Sequence, residues 1–337
     1  MAESITKPPI VRVACSGDLD AVYALARSGG TGLTNLPPDR AALAAKLASS
    51  EAALADEAAR VAGAAIFLIV ECEGKAVGTS CIFPRVGAEW PFYSYRLTRQ
   101  ANRSKVVGRL KQQALLNLVN DFDGETEVGG LFIDPAFRGH ALGTLAARAR
   151  YLFIAAHRSW FGRRVMAELR GWQSAEGRSP VWEAIGRHFY DMDFNEADRT
   201  GALNGNQFIG DLGPRYPLYV SLLPQDAQDA LGQPHDDGRP AFEMLVAEGF
   251  QAGDYVDIFD GGPTVFADID AVRTIRDATP LTVRCVGIAT RSVLAATGQG
   301  AAFRVARGRV DPDGTIDAAT SQALDMECGD ALLVVSA

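Results

Sequence analysis

The spacing of hydrophobic and polar positions changes several times along the chain, and each change predicts an element of secondary structure. Residues 10–14 alternate with the period of a strand. Residues 66–72 and 76–83 do the same on either side of a Glu-Gly-Lys turn, which is typical of a β-hairpin. Between the first strand and the hairpin, leucines recur on one helical face over residues 40–59, and Asp39 stands where an N-cap is expected.

The same reasoning extends to the middle of the chain. A helix is predicted after residues 16–18, which supply cap residues, and it ends at the Gly29-Gly30 pair. Residues 115–119 and 165–169 are predicted to be strands, and a helix begins at residues 179–180. Strands and helices in this order predict an α/β protein with a mixed, largely antiparallel sheet.

The end of the chain has a different character. From residue 281 onward, short alternating segments are separated by glycines and by the turn sequence Asp311-Pro312-Asp313-Gly314. Short strands with frequent turn signals predict a β-rich subdomain over residues 281–337, packed on the main body.

The stretch from Glu127 to Tyr151 carries the most specific chemistry. Residues 128–133 are predicted to form a buried strand, in which the Gly129-Gly130 pair indicates a bulge or the close approach of a ligand. A helix with one apolar face follows the Arg138-Gly139 turn. The first turn of such a helix offers N–H groups and the positive end of a dipole, which suit a phosphate. The same arrangement also occurs in α/β proteins that bind no phosphate, so the pattern leaves both readings open.

Composition narrows the classes of function. The chain has 337 residues, 47% of them hydrophobic, and a formal net charge of −8 with no run of basic residues, which argues against nucleic-acid binding. The N-terminus has no apolar signal-peptide core, and the longest apolar run, residues 62–70, is far short of the roughly 20 residues that a membrane helix needs. The five cysteines are dispersed, which predicts reduced thiols in the cytoplasm, and the four histidines have no zinc-ligand spacing, so no metal is expected.

Several segments then carry a family resemblance. The turn Arg138-x-x-Ala141-x-Gly143 resembles the Arg-x-x-Gly-x-Gly/Ala turn of GNAT-type N-acyltransferases, which wraps the pyrophosphate of an acyl-coenzyme A, with alanine at the first glycine position. Over nearly its whole length, the chain resembles the arginine N-succinyltransferase family of bacterial arginine catabolism. The matching segments are residues 32–37, 91–96, 131–135, 167–171, 179–183, 186–194, 248–250 and 255–264.

The resemblance implies a reaction and two site residues. The family transfers succinyl from succinyl-coenzyme A, a co-substrate rather than a permanently bound cofactor, to the α-amine of L-arginine. Its acyl-coenzyme A-contacting leucine matches Leu131, and its proton donor matches His235. By pattern alone, His235 lies in a polar loop and would be a solvated surface histidine; imidazole, with an ordinary pKa of about 6.5, can nevertheless exchange protons near neutral pH. The other histidines are expected to be structural.

The remaining site residues are expectations from type and position. The predicted acyl-coenzyme A site consists of Leu131, Ile133, Arg138, Gly139, Ala141 and Gly143. A carboxylate can hold a guanidinium through paired hydrogen bonds, and the succinyl carboxylate needs a cation. The candidate carboxylates are Glu127, Glu168, Asp257 and Asp260, and the candidate cations are Arg170 and Arg96. Each of these side chains could equally form a structural ion pair.

The resemblance also implies an organisation. The predicted division is a GNAT-like acyl-coenzyme A-binding region (1–215), a continuation that carries His235 and the segment 255–264 (216–280), and the β-rich part (281–337). The acceptor is arginine, or alternatively ornithine or another amine; a non-catalytic acyl-coenzyme A-binding subunit is a further alternative. The protein is expected to act in the cytoplasm, without membrane or nucleic acid, as a homo-oligomer or with a related subunit.

Overall fold

The computed structural model describes residues 7–29, 36–174 and 176–337. The predicted helix stop at Gly30 and residues 32–35 of the first matching segment lie outside the described residues. Within the described part, no helix is long and apolar enough to cross a membrane.

Strands and helices alternate along the chain. The strands are β1 (Ile10–Val13), β2 (Ile66–Cys72), β3 (Lys75–Phe83), β4 (Ser94–Ser104), β5 (Arg109–Val119), β6 (Thr126–Ile133), β7 (Arg164–Glu168), β8 (Leu218–Tyr219), β9 (Gln251–Val256), β10 (Pro263–Asp268), β11 (Thr279–Thr282), β12 (Cys285–Val286), β13 (Ser292–Thr297), β14 (Arg304–Arg309), β15 (Thr315–Ile316) and β16 (Ala331–Ser336). The α-helices are α1 (Leu19–Ser28), α2 (Arg40–Ala55), α3 (Glu57–Val61), α4 (Leu142–Ala156), α5 (Arg187–Tyr190), α6 (Phe194–Asn204), α7 (Gln207–Leu212), α8 (Gln225–Ala230), α9 (Arg239–Glu248), α10 (Arg273–Arg276) and α11 (Ala318–Leu324).

The chain folds into two compact units, each assembled from separate segments. The first unit contains Met1–Arg85, Thr126–Arg163 and Asp268–Ala337, and the second contains Val86–Glu125 and Arg164–Ala267. The predicted boundaries at residues 215 and 280 stay a prediction, and the two units follow a different division.

The first unit is a sheet covered by helices on both faces. Its strand order is β11-β16-β13-β14-β1-β2-β3-β6, and the pairs described in it are antiparallel. On one face, α1 and α2 bury Leu25 and Leu43 against Cys81 of β3. On the other face, the hydroxyl of Ser80 donates to the carbonyl of Ala146 in α4, at 3.5 Å. Because neighbouring strand residues point to opposite faces, the two helical layers enclose the sheet.

The C-terminal segment continues this sheet. β14 pairs antiparallel with β1, and β13 lies between β14 and β16. The β-rich character predicted for residues 281–337 is confirmed, and its strands belong to the sheet of the first unit. A parallel pair forms between the short strands β12 and β15.

The second unit has its own hydrophobic core. The strand order is β7-β10-β9-β4-β5-β8. Trp182 is fully buried at the start of a π-helical turn, Trp182–Gly186, and stacks on Tyr190 and Phe259 at centroid distances of 5.5 and 5.6 Å. The helix predicted from residues 179–180 is therefore present, and its π-turn leads directly into α5.

Most of the local predictions are confirmed. The β2–β3 hairpin turns at Glu73 and Gly74, which both have positive φ (50° and 79°), as a two-residue type I′ turn requires. Strand β6 and helix α4 occupy the predicted places. The α/β class with largely antiparallel strands is confirmed as well.

Two predicted elements have different limits. The helix expected over residues 40–59 ends at Ala55, because Asp56 adopts an extended backbone and its carboxylate accepts from the N–H of Ala58 to cap α3. The strand expected over residues 115–119 begins at Arg109. Its first half is polar, so the sequence has no apolar alternation there to reveal it.

Candidate active site

A bulge interrupts β6 at the predicted pair of glycines. Gly130 and Leu131 lie opposite the single residue Ser80, because the register with β3 shifts at this point. Gly130 has φ of 57°, in the region that favours glycine, and a side chain there would lie 2.8 Å from the Sγ of Cys81. The hydroxyl of Thr79 donates to the Gly130 carbonyl at 3.2 Å. The predicted bulge is therefore confirmed, and other residue types would be strained at its centre.

The two apolar residues predicted to bind the acyl-coenzyme A lie at the end of β6. Phe132, only 6% exposed, belongs to the core beneath α1 and α2. Leu131 precedes it and is half-buried, and strand alternation directs its side chain away from that core. Ile133 is buried, and its carbonyl accepts from the Nε of Arg138 at 3.3 Å. This contact holds the arginine stem against the strand end while its side chain stays exposed.

The turn into α4 has the features of an anion site. Gly139 and Ala141 have positive φ (89° and 56°), and α4 begins directly afterwards with Ala141 as its N-cap. Alanine has no side-chain oxygen to accept from the first-turn N–H groups. Gly143, in that first turn, has open space where a side chain would stand. Backbone N–H groups, the helix dipole and the exposed Arg138 therefore face an approachable surface, which suits a phosphate.

Glu127, at the start of β6, has a carboxyl group with a raised pKa. Burial raises its pKa to about 7 although the side chain retains some exposure. Its charge also acts on the Cys81 thiol, whose pKa burial raises to about 12. Two residues along the strand, the Gly129 carbonyl accepts from the buried Arg150 at 3.4 Å. Glu127 is therefore able to exchange a proton near neutral pH.

In the second unit, two aspartates shape the loop between β9 and β10. The Oδ1 of Asp257 accepts from the N–H groups of Phe259 and Asp260, at 2.7 and 2.8 Å. Asp260, 6% exposed, accepts from the N–H groups of Gly262 and Gly171, at 2.9 and 2.8 Å. Burial raises the pKa of both carboxyl groups. Both carboxylates therefore bind backbone N–H groups of the loop, and their role as guanidinium ligands stays a prediction.

The loop carrying His235 is bound to the segment after β7. The N–H of His235 donates to the carbonyl of Arg170 at 2.8 Å, and the N–H of Trp172 donates to the carbonyl of Gln233 at 3.1 Å. Between these bonds lies Gly171, whose N–H is held by Asp260; a side chain at Gly171 would lie 2.6 Å from that aspartate. The predicted site residues Arg170, His235 and Asp260 are therefore brought together by backbone hydrogen bonds.

The ring of His235 is oriented by its own backbone turn. Its Nδ1 accepts from the N–H of Asp237 at 3.2 Å, which makes His235 the N-cap of the 3-10 turn Asp236–Gly238. Because Nδ1 accepts this hydrogen bond, the proton of the neutral ring is assigned to Nε2. The exposed carboxylate of Asp237 lies 3.6 Å from Nδ1, and the His235 side chain is 25% exposed. His235 is therefore a partly exposed imidazole whose Nδ1 faces both the N–H and the carboxylate of Asp237.

The other predicted polar residues have identified neighbours. Glu168 is half-buried and accepts from the hydroxyl of Thr264 at 3.1 Å. Arg170 is exposed and donates to the side chain of Gln173 at 2.5 Å. Arg96 lies 3.4 Å from Asp121, which makes it part of an ion pair. Of the remaining histidines, His140 and His188 are exposed, and His157 is buried at the end of α4.

The predicted residues thus form two groups. The acyl-coenzyme A residues and Glu127 belong to the first unit, whereas Glu168, Arg170, His235 and the two loop aspartates belong to the second. Trp172 was not predicted; its side chain is 41% exposed and its backbone pairs beside His235. No pattern in the sequence distinguishes it, because its position depends on the pairing of two distant loops. Among residues 7–29, 36–174 and 176–337, no cluster of His, Cys, Asp and Glu could hold a metal ion.

Comparison with known proteins agrees with the resemblance. The family model for the arginine N-succinyltransferase beta subunit matches residues 9–274. Arginine N-succinyltransferase subunit beta of Pseudomonas aeruginosa is 40% identical over 269 residues, covering 80% of this chain and 79% of that protein. An arginine N-succinyltransferase of Escherichia coli is 35% identical over 338 residues, covering 97% of each chain. The solved structure of arginine/ornithine succinyltransferase subunit AI from Pseudomonas aeruginosa superposes with a TM-score of 0.87 at 30% identity, covering 98% of this chain and 99% of that one.

Proposed function

Because the chain belongs to the arginine N-succinyltransferase family, we propose that it transfers succinyl from succinyl-coenzyme A to the α-amine of L-arginine. The observation that carries the proposal beyond family membership is the setting of His235, which is held by backbone hydrogen bonds while its side chain stays 25% exposed. A GNAT-like use of the β6 bulge and the α4 turn for the coenzyme belongs to the same proposal.

The end of β6 and the turn into α4 bind the acyl donor. The N–H groups at the start of α4 and the guanidinium of Arg138 bind the pyrophosphate, and the absence of side chains at Gly139 and Gly143 lets it approach the backbone. Leu131, at the bulge of β6, contacts the acyl end of the molecule. Succinyl-coenzyme A enters as a substrate and leaves as coenzyme A.

His235 supplies the proton. The neutral α-amine attacks the thioester carbonyl carbon, a C–N bond forms and the C–S bond breaks. The departing thiolate takes the Nε2 proton of His235 in its protonated, imidazolium form, and the neutral ring that remains takes, at the same nitrogen, the proton released by the ammonium that the new bond creates. The Asp237 carboxylate, 3.6 Å from Nδ1, faces the proton that Nδ1 holds in the imidazolium.

Different predicted residues bind the succinyl carboxylate and the arginine guanidinium. Arg170, exposed beside His235, is the cation for the succinyl carboxylate. Glu127 and Glu168 are the candidates for the guanidinium. Asp257 and Asp260 contribute by holding the loop, since their oxygens bind backbone N–H groups.

A thiol-release assay with succinyl-coenzyme A tests the proposal. Arginine should release coenzyme A, and the amide product should have succinyl on the α-nitrogen by mass spectrometry. Ornithine is the second acceptor to examine, because the similar solved structure is of an arginine/ornithine succinyltransferase subunit; lysine is the third. Binding of succinyl-coenzyme A without release for any amine would contradict the proposal and favour a non-catalytic subunit. We place the reaction in the cytoplasm, where coenzyme A thioesters and reduced thiols are found.

A further inference from the structure

The β4–β5 hairpin continues past the sheet that anchors it. The two strands pair from Ser94 with Val119 to Ser104 with Arg109. Strand β9 pairs with β4 only at residues 95–96, and β8 pairs with β5 only at residues 115–116. Within the described part of the chain, residues 99–114 therefore form a two-stranded ribbon without a strand on either edge. We call this segment the distal ribbon.

The distal ribbon is exposed on both faces. Its tip carries large apolar side chains in solvent: Val106 is 100% exposed, Val107 67% and Leu110 56%. A two-stranded hairpin is marginally stable in water, and sheets gain stability when an apolar face is covered. The length and the apolar tip of the distal ribbon therefore indicate a surface that is covered by another molecule.

The two faces of the distal ribbon differ. Directly paired residues share a face, so the face that carries Leu97 and Leu116 in the core of the second unit continues outward through the pairs Arg99–Ala114, Ala101–Gln112 and Arg103–Leu110. The opposite face is polar. Small and apolar side chains on this face therefore alternate with Arg99, Gln112 and Arg103 as far as the apolar tip of the distal ribbon.

The hairpin is basic in an acidic protein. Residues 94–119 contain six basic side chains and no acidic one, whereas the whole chain has 33 basic and 41 acidic residues. The rest of the chain therefore carries 27 basic residues against the same 41 acidic ones. Five of the hairpin cations, Arg99, Arg103, Lys105, Arg109 and Lys111, lie on the distal ribbon and form no ion pair among the described residues.

A protective role explains only part of this pattern. Charged side chains on bare strand edges prevent unwanted strand pairing, which accounts for the arginines and lysines. The same role disfavours the exposed Val106, Val107 and Leu110, because an apolar tip promotes association. Cations around an apolar tip match a partner that is acidic and also offers an apolar contact.

We propose that the distal ribbon is a docking arm for a second copy of this chain. The acidic remainder of the chain provides the complementary charge, and the apolar tip packs on the partner. Electrostatic complementarity contributes mainly to the rate and the specificity of association, while the buried apolar residues contribute most of the affinity. This inference is independent of the proposed reaction.

Light scattering coupled to gel filtration, over a range of protein and salt concentrations, tests the proposal with the full chain. The wild type should be a dimer or a larger assembly that weakens as salt rises. The tip variant V106D/V107D and the charge variant R103E/R109E should each weaken self-association by roughly tenfold or more. Replacing residues 101–112 with Asn-Gly shortens the ribbon to a two-residue turn and should give a folded monomer.

Matched control variants show whether a loss of self-association is specific to the distal ribbon or follows from any added or reversed surface charge. I288D adds a charge at another apolar side chain, which is 91% exposed, and R307E/R309E reverses two exposed charges on β14; both should retain the wild-type mass. A monomeric wild type, or an assembly that survives shortening of the ribbon, would overturn the proposal. So would a wild-type monomer that binds RNA or DNA oligonucleotides through the ribbon, which would assign it to nucleic acid.

Discussion

Asp260 connects the fold of the second unit to the position of His235, and its removal should affect both. Each of its oxygens accepts one buried backbone N–H, from Gly262 and from Gly171. Asp260→Ala leaves both N–H groups without that acceptor. A buried group left unsatisfied costs about 1–3 kcal/mol, so the two together cost roughly 2–6 kcal/mol. That is a large share of the 5–15 kcal/mol by which a domain is typically stable.

The activity of Asp260→Ala should fall by more than the fraction of protein that unfolds. Gly171 lies between the two hydrogen bonds that hold the His235 loop, so its release lets the imidazole move. Asp260→Asn retains one acceptor oxygen and should cost about half as much. Urea unfolding followed by circular dichroism, with thiol release measured on folded protein, checks both effects. The control Asp254→Ala removes an exposed aspartate on β9. Unfolding of Asp260→Ala within about 0.5 kcal/mol of the control would refute the reasoning.

Three other changes have expected outcomes. Ala141→Gly should raise the free energy of unfolding by about 0.5–1 kcal/mol. The left-handed conformation costs alanine roughly 1–2 kcal/mol, and part of the gain is lost because glycine has more conformational entropy in the unfolded chain. The control Ala155→Gly, inside helix α4, should lower the free energy of unfolding. Glu127 has a pKa of about 7 in the folded protein and 4.5 ordinarily, so folding favours its protonated form. The stability of the folded protein is therefore highest below pH 4.5, and this contribution is lost as the pH rises through 7. Glu127→Gln should remove that loss, at most about 3 kcal/mol, in urea unfolding at pH 5 and 8; equal pH dependence in both proteins would contradict this. Arg138→Ala should raise the Michaelis constant for succinyl-coenzyme A and leave that for arginine near its wild-type value; the reverse pattern would exclude Arg138 from the pyrophosphate site.

The sequence predicted the elements whose signals are local. The β2–β3 hairpin has both alternation and a glycine turn, and α4 follows a glycine-bearing turn with an apolar face. The bulge in β6 was also predictable, since Gly130 adopts a positive φ that other residues rarely take. In each of these cases, a few neighbouring residues decide the structure.

Other features depend on distant parts of the chain. The outer half of the β4–β5 hairpin has no apolar alternation because both of its faces are exposed. The aspartates of the β9–β10 loop were predicted as substrate ligands from their charge alone, and only the folded chain shows that Gly171 occupies an oxygen of Asp260. His235 was identified through the family resemblance, and the structure adds the hydrogen bond from the Asp237 N–H that orients its ring.

The central claim is that the Nε2–H of His235 gives the reaction its proton. His235→Asn tests it most directly, because asparagine can accept the Asp237 N–H and keep the turn capped while it removes Nε2. The exposed His188→Asn is the matched control. With succinyl-coenzyme A and arginine, His235→Asn should lower kcat by about 10²–10⁴-fold, with an unchanged unfolding midpoint and similar Michaelis constants. Turnover of a folded His235→Asn protein at the rate of the His188→Asn control would contradict the account.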